Sequence, residues 1–415
     1  MRVQRSLYIC AAVISIILVL TGCKIKQAEP STPGGQPPAT AHPVSPAPQP
    51  ADPTAELVAG MSLAEKIGQM VVVGLDGTAV QPEIRSLIKE RRVGGIILYS
   101  NNVVSSKQMS ELVNGLKQTN RDAGGKLPLL LSADQEGGRV SRLPKEITAF
   151  PASRIIGGTN DSKYAYQVGT ALGEAMKAVG LNTDYAPVLD VNTNPNNPVI
   201  GERAFGNTAK TVSGMGVQEM LGIKSQGVIP VVKHFPGHGD TSVDSHYGLP
   251  VVEHDLQRLR SVEFVPFASA IKEGAPVVMV AHILMTKLDS DTPASMSSFD
   301  IQNVLRDELK FDGVVITDDM TMEAVGKTMA IGPAAVKAVS AGADIVLVGH
   351  DPAKQKAVID ALTAAAQSGQ ISQKEIDASV YRIAKLKTSF QLSDEPTPPA
   401  NVSELNRHIQ AALKR

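Results

Sequence analysis

The stretch that decides the fold of this chain is VIPVVKHFPGHGDTSVDSH, residues 228–246. It opens with an apolar run, and the segment from Lys233 onward holds three of the eight histidines of the chain, two aspartates and a lysine. An apolar strand that ends in a polar, glycine-rich loop is how an α/β barrel presents reactive side chains at the carboxyl ends of its strands. The stretch therefore predicts a barrel strand followed by a loop that carries a functional site.

Seven more apolar runs bounded by turn residues give, with 228–232, eight candidate strands: 71–73, 95–99, 129–131, 183–186, 228–232, 277–280, 314–316 and 345–348. Stretches with helical periodicity separate or follow them, for example 164–178, 256–271, 332–341, 357–366 and 373–389. Continuous apolar runs are typical of parallel strands buried on both faces. Eight such units predict a single (β/α)8 TIM-type barrel domain. A doubly wound open sheet is the alternative, although no Gly-x-Gly-x-x-Gly motif follows the first strand.

The N-terminal residues have the pattern of a lipoprotein signal peptide. Two arginines precede an apolar segment, residues 7–20, that is short for a bilayer span. The segment ends in LTGC, residues 20–23, which resembles a bacterial lipobox whose cysteine receives the lipid. We therefore expect residues 1–22 to be removed and Cys23 to anchor the protein at the cell membrane, outside the cytoplasm, with no other membrane contact.

The remaining composition sets the domain organisation and excludes some partners. Residues 23–53 are rich in proline and predict an extended linker, followed by the barrel domain over 54–392 and a partly helical tail over 393–415. The formal net charge of −1 gives no reason to expect a nucleic acid partner. Aromatic residues make up only 4% of the chain and tryptophan is absent, which favours a small-ligand pocket over a platform for long polysaccharides.

Polar side chains follow most of the predicted strands, so they are expected to meet at one face of the barrel. Asp318 comes almost directly after the strand 314–316 and is the candidate nucleophile, while Asp319 is expected to cap the next helix. Asp244 and His246 lie two residues apart on the glycine-rich loop. The carboxylate there can hold the imidazole in one tautomer and support its charged form for acid–base chemistry.

Further polar residues at the strand ends suit the binding of a sugar. Asp134 can accept hydrogen bonds from two vicinal hydroxyls, and Lys233 and Arg203 can donate to hydroxyls or to a carboxylate. His234 and His238 have an i, i+4 spacing that also suits a metal ion, but a proline and a glycine between them argue against the helix of such a zinc motif. We expect no metal and no cofactor.

Four segments together resemble family 3 glycoside hydrolases, specifically the single-domain β-N-acetylglucosaminidase type. They are DQEGGRV at 134–140, GERAFG at 201–206, KHFPGHGDTSVDSH at 233–246 and TDDM at 317–320, and the likeness covers roughly residues 57–390. The resemblance implies that Asp318 is the nucleophile and His246 the general acid/base, with Asp244 as its partner. It also implies that the sugar is bound by Asp134, Arg142, Arg203, Lys233 and His234.

The resemblance further implies a retaining double displacement. Asp318 would form a covalent glycosyl-enzyme, and His246 would protonate the leaving group and then activate water. The expected substrate is a terminal β-1,4-linked N-acetylglucosamine on a peptidoglycan fragment, cleaved during cell-wall turnover and recycling. We expect the enzyme to act as a monomer.

Several alternatives stay open. One is a β-glucosidase or xylosidase on the same barrel. Another is a glycoside phosphorylase, because a neutral histidine would repel a phosphate acceptor less than a carboxylate would. A metal-dependent hydrolase could use His234, His238 and His246. A lipid-anchored sugar-binding protein is a further alternative, but such a protein needs no acid/base pair opposite a strand-end aspartate.

Overall fold

A computed structural model describes residues 52–244 and 248–414. The predicted signal peptide, Cys23, nearly all of the predicted linker and His246 lie outside these residues. The β-strands of the described part are β1 Val71–Gly74, β2 Gly95–Leu98, β3 Leu130–Ala133, β4 Thr183–Asp184, β5 Ile229–Phe235, β6 Val251–Val252, β7 Val277–Val280, β8 Leu284–Met285, β9 Val314–Asp319 and β10 Ile345–Val348.

Helices cover most of the remaining described chain. The α-helices are α1 Pro53–Ala59, α2 Leu63–Gln69, α3 Pro82–Lys89, α4 Ser106–Asp122, α5 Ser153–Gly158, α6 Ser162–Ala178, α7 Ala209–Ser225, α8 Leu256–Ser261, α9 Phe264–Lys272, α10 Glu323–Gly326, α11 Ile331–Ala341, α12 Pro352–Ser368, α13 Gln373–Ser389 and α14 Val402–Leu413. Short 3-10 helices lie at Ser100–Asn102, Gly201–Arg203 and Ala294–Met296, and a π-helix at Phe299–Glu308. Among the residues described, no helix has both the length and the apolar character to cross a membrane.

Eight strands close into a parallel barrel in the order β1-β2-β3-β4-β5-β7-β9-β10, with β10 paired back to β1. The other two, β6 and β8, pair with each other. All eight predicted strands are present, so the predicted (β/α)8 barrel is confirmed. The barrel strands are buried along their whole length except at Asp318, which is partly exposed. Burial on both faces explains why these runs are continuously apolar in the sequence.

The structure extends two of the predicted strands near the site and divides one predicted helix. β5 and β9 continue to Phe235 and Asp319, so Lys233 and His234 lie on a strand and not in the loop after it. The predicted helix over 256–271 is divided into α8 and α9, because the backbone of Val262 leaves the helical region with φ −132° and ψ −71°.

Each of the two extended strands contains a register shift. In each case one strand has an extra residue relative to its neighbour. Residues 232–235 of β5 pair with residues 278–280 of β7, and residues 316–319 of β9 pair with residues 345–347 of β10. Such a β-bulge bends the strand and re-aims a side chain, and bulges are over-represented next to active sites. The extra residues fall at Lys233–His234 and at Thr317–Asp318, which are predicted site positions.

After α13 the chain crosses the amino-terminal ends of the barrel strands. The Asp394 carboxylate accepts hydrogen bonds from Asn120 Nδ2 at 2.6 Å and from the backbone N–H of Leu129 at 3.2 Å. Thr397 and Asn114 exchange two hydrogen bonds of 2.8 and 2.9 Å. α14 then packs against α6, with Ile409 buried in the main hydrophobic core. Residues 393–414 are therefore integrated into the barrel body.

Candidate active site

A cavity of about 360 Å³ opens at the carboxyl ends of the barrel strands. Six of the eight predicted site residues line it: Asp134, Arg142, Arg203, Lys233, His234 and Asp318. A larger cavity, of about 1190 Å³, lies at the amino-terminal ends of the strands and is lined by none of these six. Because barrels present reactive side chains at the carboxyl ends of their strands, we assign the smaller cavity as the active site.

Asp318 occupies the bulge of β9, and its Oδ1 accepts a hydrogen bond from the backbone N–H of Asp319 at 2.8 Å. Burial opposes its ionisation, but the surrounding positive charge, including that of Lys233, and this hydrogen bond together hold the pKa of Asp318 below its usual value. Asp318 is therefore a carboxylate at neutral pH, which is the state that a nucleophile requires.

Lys233 is buried between two carboxylates. Its Nζ lies 2.6 Å from Asp134 Oδ1 and 2.7 Å from Glu136 Oε1. Burial alone would lower the pKa of this ammonium, yet the two carboxylates raise it above its usual value. Lys233 thus stays charged and holds Asp134 at the cavity wall.

Glu136 is a residue that the sequence prediction missed. Arg203 binds it with both arms of its guanidinium, Nε to Oε2 at 2.8 Å and Nη2 to Oε1 at 2.7 Å. Burial opposes the charge of Glu136, but Arg203 and Lys233 hold its pKa far below the usual range. Glu136 does not line the cavity, so its contacts are with the cations and not with a ligand.

His234 is oriented from both sides of its ring. Arg203 Nη2 lies 3.3 Å from Nε2, and because a guanidinium only donates, Nε2 must accept. Nδ1 therefore carries the proton and donates it to Asp190 Oδ2 at 2.7 Å. Asp190 also accepts the backbone N–H of His238 at 2.6 Å, so it ties the ring to the loop after β5.

His238 supports the loop and is electrically neutral. Burial lowers its pKa to about 4. Its Nδ1 lies 2.7 Å from the hydroxyl of Thr241, which itself donates to the His238 carbonyl at 3.0 Å. Within residues 52–244 and 248–414 no cluster of three or more His, Cys, Asp or Glu side chains is placed to bind a metal ion.

The predicted acid/base pair is described in part. Asp244 is partly buried and does not line the cavity, and its backbone carbonyl accepts the Gly248 N–H at 3.1 Å. His246 lies outside the described residues, so its assignment as the acid/base stays a prediction.

Arg142 lines the cavity beside these groups. Gln135 Oε1 accepts hydrogen bonds from the backbone N–H of Arg142 at 2.9 Å and of Leu143 at 3.1 Å, which fixes the turn that carries the arginine. Its Nη1 donates to the Ser141 carbonyl at 3.2 Å, while its buried Nε has no partner in the part of the chain that the structure describes. Arg142 thus lines the cavity with a guanidinium whose hydrogen-bond donors the described protein does not use fully.

The expectation that Asp319 caps a helix is wrong. Asp319 is the last residue of β9, and α10 begins only after Met322. Its carboxylate instead accepts the backbone N–H of Gly349 at 2.9 Å and the hydroxyl of Tyr99 at 3.0 Å. The reason is that β9 continues through its bulge and carries Asp319 into contact with neighbouring strands.

Residues 62–386 match the family described as "Glycosyl hydrolase family 3 N terminal domain". The chain belongs to glycosyl hydrolase family 3. The resemblance inferred from its four segments is therefore confirmed. Among solved structures, the family 3 β-N-acetylglucosaminidase from Paenibacillus sp. str. FPU-7 is similar with a TM-score of 0.80 and 41% identity, over 85% of this chain and 68% of that one.

Curated relatives of this family 3 enzyme are named beta-hexosaminidases. Beta-hexosaminidase A of Pseudoalteromonas piscicida is 35% identical over 81% of the chain, which spans only 60% of that relative. Beta-hexosaminidase LpqI of Mycobacterium tuberculosis (strain ATCC 25618 / H37Rv) is 32% identical over 93% of the chain and 98% of the relative. The LpqI structure has a TM-score of 0.74 over 82% of this chain and 98% of that chain. The predicted enzyme class, glycoside hydrolase, is confirmed.

Proposed function

We propose that this family 3 enzyme is a retaining exo-β-N-acetylglucosaminidase. The observation that carries the proposal is that an ionised Asp318 lines the same cavity as the hydroxyl-binding candidates Asp134, Arg142 and Lys233. Relatives named beta-hexosaminidase support β-N-acetylhexosaminidase activity. A volume of about 360 Å³ is near the lower end of ligand pockets, which suits one terminal sugar and hence exo cleavage.

The proposed reaction uses the ionised Asp318 as nucleophile and the predicted acid/base His246. Asp318 attacks the anomeric carbon as the bond to the leaving oxygen breaks, and His246 supplies the proton that this oxygen needs. Neutral His246 then takes a proton from water, whose oxygen attacks the anomeric carbon and releases Asp318 as a carboxylate. Two displacements at one carbon retain its configuration.

The sugar is held by groups that are fixed before it arrives. Lys233 keeps one oxygen of Asp134 occupied at 2.6 Å, so the carboxylate is turned in a constant direction toward hydroxyls. Asp190 and Arg203 fix the His234 ring in the same way. Such preorganisation reduces the entropy lost when the substrate is oriented for attack.

The proposal extends to the substrate and its location. The lipobox-like LTGC at residues 20–23 supports a lipid-anchored enzyme outside the cytoplasm, where peptidoglycan fragments are the nearest source of terminal β-1,4-linked N-acetylglucosamine. The enzyme would act there as a monomer in cell-wall turnover and recycling, without a cofactor.

The first test uses 4-nitrophenyl β-glycosides of N-acetylglucosamine, glucose and xylose, with and without phosphate or a chelator. We expect turnover of the N-acetylglucosamine compound alone, unchanged by either additive, and about 10³-fold or more lost in Asp318→Ala. Asp312→Ala, at an exposed position before β9, is the control and should keep full activity. Preference for glucose, or dependence on phosphate or metal, would overturn the proposal.

The acid/base assignment has its own test. In His246→Ala, turnover of 4-nitrophenyl N-acetylglucosaminide should fall less than release of N-acetylglucosamine from N-acetylglucosaminyl-N-acetylmuramic acid, because the sugar hydroxyl is the poorer leaving group and needs the proton more. NMR should show the β-anomer as the first product of the wild type. Full turnover of the disaccharide by His246→Ala would contradict the assignment.

A further inference from the structure

The bulge in β9 places Asp318 where the regular pairing with β10 is interrupted. Leu347 of β10 donates its N–H to the Thr317 hydroxyl at 3.1 Å and accepts the N–H of Met320 at 2.9 Å. A side-chain oxygen thus replaces one backbone partner, and pairing resumes after the bulge. Asp318 lies within the interrupted segment, so the direction of its side chain depends on what fixes the bulge at its far end.

Asp319 fixes that end through its carboxylate. Oδ1 accepts hydrogen bonds from Thr321 N at 2.9 Å, Thr321 Oγ1 at 2.8 Å and Gly349 N at 2.9 Å, and Oδ2 accepts from the Tyr99 hydroxyl at 3.0 Å. Burial raises the pKa of Tyr99, which keeps this phenol protonated as a donor. The carboxylate therefore links the ends of β9, β10 and β2.

The close approach of these groups depends on a glycine. A Cβ added at Gly349 would collide with the Tyr99 hydroxyl and with Asp319 Oδ2. No positive φ is needed at Gly349, so the absence of a side chain is what the contact requires. A substitution of Gly349 would therefore displace the Asp319 carboxylate while leaving residue 319 itself unchanged.

The backbone of Asp319 is held as firmly as its side chain. Its N–H donates to Asp318 Oδ1 at 2.8 Å, and its carbonyl lies 3.1 Å from Nε2 of the buried His282. Because a carbonyl only accepts, Nε2 carries the proton and Nδ1 accepts from the Ser295 hydroxyl at 2.7 Å. His282 thus braces the peptide next to the nucleophile.

We propose that Asp319 is the positioning residue for the nucleophile of this enzyme. It locks the β9 bulge to β2 and β10, and its N–H holds one oxygen of Asp318 so that the carboxylate faces the anomeric carbon at a fixed angle. Asp319 also lines the cavity, but protein donors already bind both of its carboxylate oxygens, so it acts through Asp318. The inference rests on the proposed function of Asp318.

The test compares Asp319→Ala and Asp319→Asn with Asp351→Asn, an exposed N-cap aspartate of α12 that lines no part of the cavity. A fluorinated N-acetylglucosaminide that traps the glycosyl-enzyme gives the inactivation rate constant and the inhibitor affinity separately. We expect the rate constant and kcat to fall about 10²-fold in Asp319→Ala, because a displacement of about 1 Å can cost that much. KM and inhibitor affinity should change less than about threefold.

The other variants make the result decisive. Asp319→Asn keeps the acceptor for Gly349 and Thr321 and should recover most of the loss, while Asp351→Asn should match the wild type. If Asp319→Ala does not fold, Gly349→Ala takes its place and should lower kcat with little change in KM. Equal rate constants in folded variants, or a loss confined to KM, would overturn the inference. A wild type that is active and an Asp318→Ala enzyme that is inactive show that the proposed function stands in either case.

Discussion

Glu136 and Glu219 are both fully buried glutamates, yet their surroundings shift their pKa values in opposite directions. Lys233 and Arg203 hold the pKa of Glu136 far below its usual range. Burial and the neighbouring Asp184 raise the pKa of Glu219 well above its usual value, and its Oε2 has no partner among the described residues. Glu136 is therefore an anion at neutral pH, whereas the surroundings of Glu219 favour its uncharged form.

This contrast gives a matched pair of substitutions. Glu136→Gln leaves Arg203 and Lys233 with an uncompensated buried charge, so we expect a loss of about 3–5 kcal/mol in the free energy of unfolding and about 10² in kcat/KM. Glu219→Gln fixes this position in the uncharged form that burial favours, with nearly the same shape, and should change either quantity little. Urea unfolding and steady-state kinetics check both, and equal effects of the two variants would refute the opposite pKa shifts of the two glutamates.

The sequence identifies residues that line the cavity, but it does not identify the buried residues that hold them in place. Asp134, Lys233 and Asp318 could be identified because each follows an apolar run, and parallel strands bring such positions together. Glu136 lies in the same polar segment as Asp134, but the amino-acid sequence does not show that its side chain contacts buried cations and not a ligand. That distinction depends on contacts with Arg203, which is distant along the chain.

At the scale of the element, the bulges of β5 and β9 mark the limit of prediction from hydrophobic pattern. The apolar runs stop at Val232 and Ile316, whereas backbone pairing continues to Phe235 and Asp319. Polar side chains do not prevent pairing where their strand lines a site, and the extra residue is decided by the register of the neighbouring strand. The sequence therefore gives the strands correctly but not the direction in which the bulges turn their side chains.

The π-helix Phe299–Glu308 contains a buried carboxyl group without a counterion in contact. Both oxygens of Asp300 lack a hydrogen-bond partner in the described chain, and the nearby Ser297 hydroxyl accepts the Asp300 backbone N–H at 3.3 Å instead. Burial raises the pKa of Asp300 from 3.8 to about 7. The folded state therefore binds more protons than the unfolded state between these values, and this group makes the protein less stable as the pH rises through that window.

We expect Asp300→Asn to reveal this pH dependence. Relative to the wild type, the variant should gain about 3 kcal/mol in unfolding free energy between pH 5 and pH 8, since each unit of pKa shift corresponds to about 1.4 kcal/mol. Asp307→Asn, exposed on the same helix, is the control. Urea titrations at both pH values measure the difference, and parallel pH curves for wild type and Asp300→Asn would show that the acid is not buried as described.

At the scale of the whole molecule, the two ends of the barrel carry different chemistry. The carboxyl end holds paired charges around a cavity, whereas Lys387 is buried at the amino end, where its Nζ donates to Gln69 Oε1 at 2.7 Å and to the Gly94 carbonyl at 2.8 Å. Neither acceptor is charged, and burial lowers the pKa of Lys387 to about 7. Sequence alone does not reveal this lysine, because α13 places it inward only after packing on the barrel.

The contribution of Lys387 to the free energy of unfolding should increase as the pH rises above 7. The folded state loses this proton near pH 7 and the unfolded state near 10.5, so the unfolded state binds more protons in between and stability rises with pH. Measured against Lys387→Met, the wild type should gain about 2 kcal/mol from pH 7 to pH 9. Lys385→Met, exposed on the same helix, should show no such change. A constant difference between wild type and Lys387→Met would exclude a strongly lowered pKa.

The segment after α13 bears on how this protein should be shortened for expression. The family match ends at residue 386, so a gene trimmed to that boundary would omit Asp394, Thr397 and α14. Asn120 and the Leu129 N–H would lose their carboxylate acceptor, at a cost of about 1–3 kcal/mol for each buried group left unpaired. The apolar surface of α6 under Ile409 would meet water and other copies of the chain. A fragment cut by family resemblance would thus keep every residue of the cavity and still be prone to aggregate.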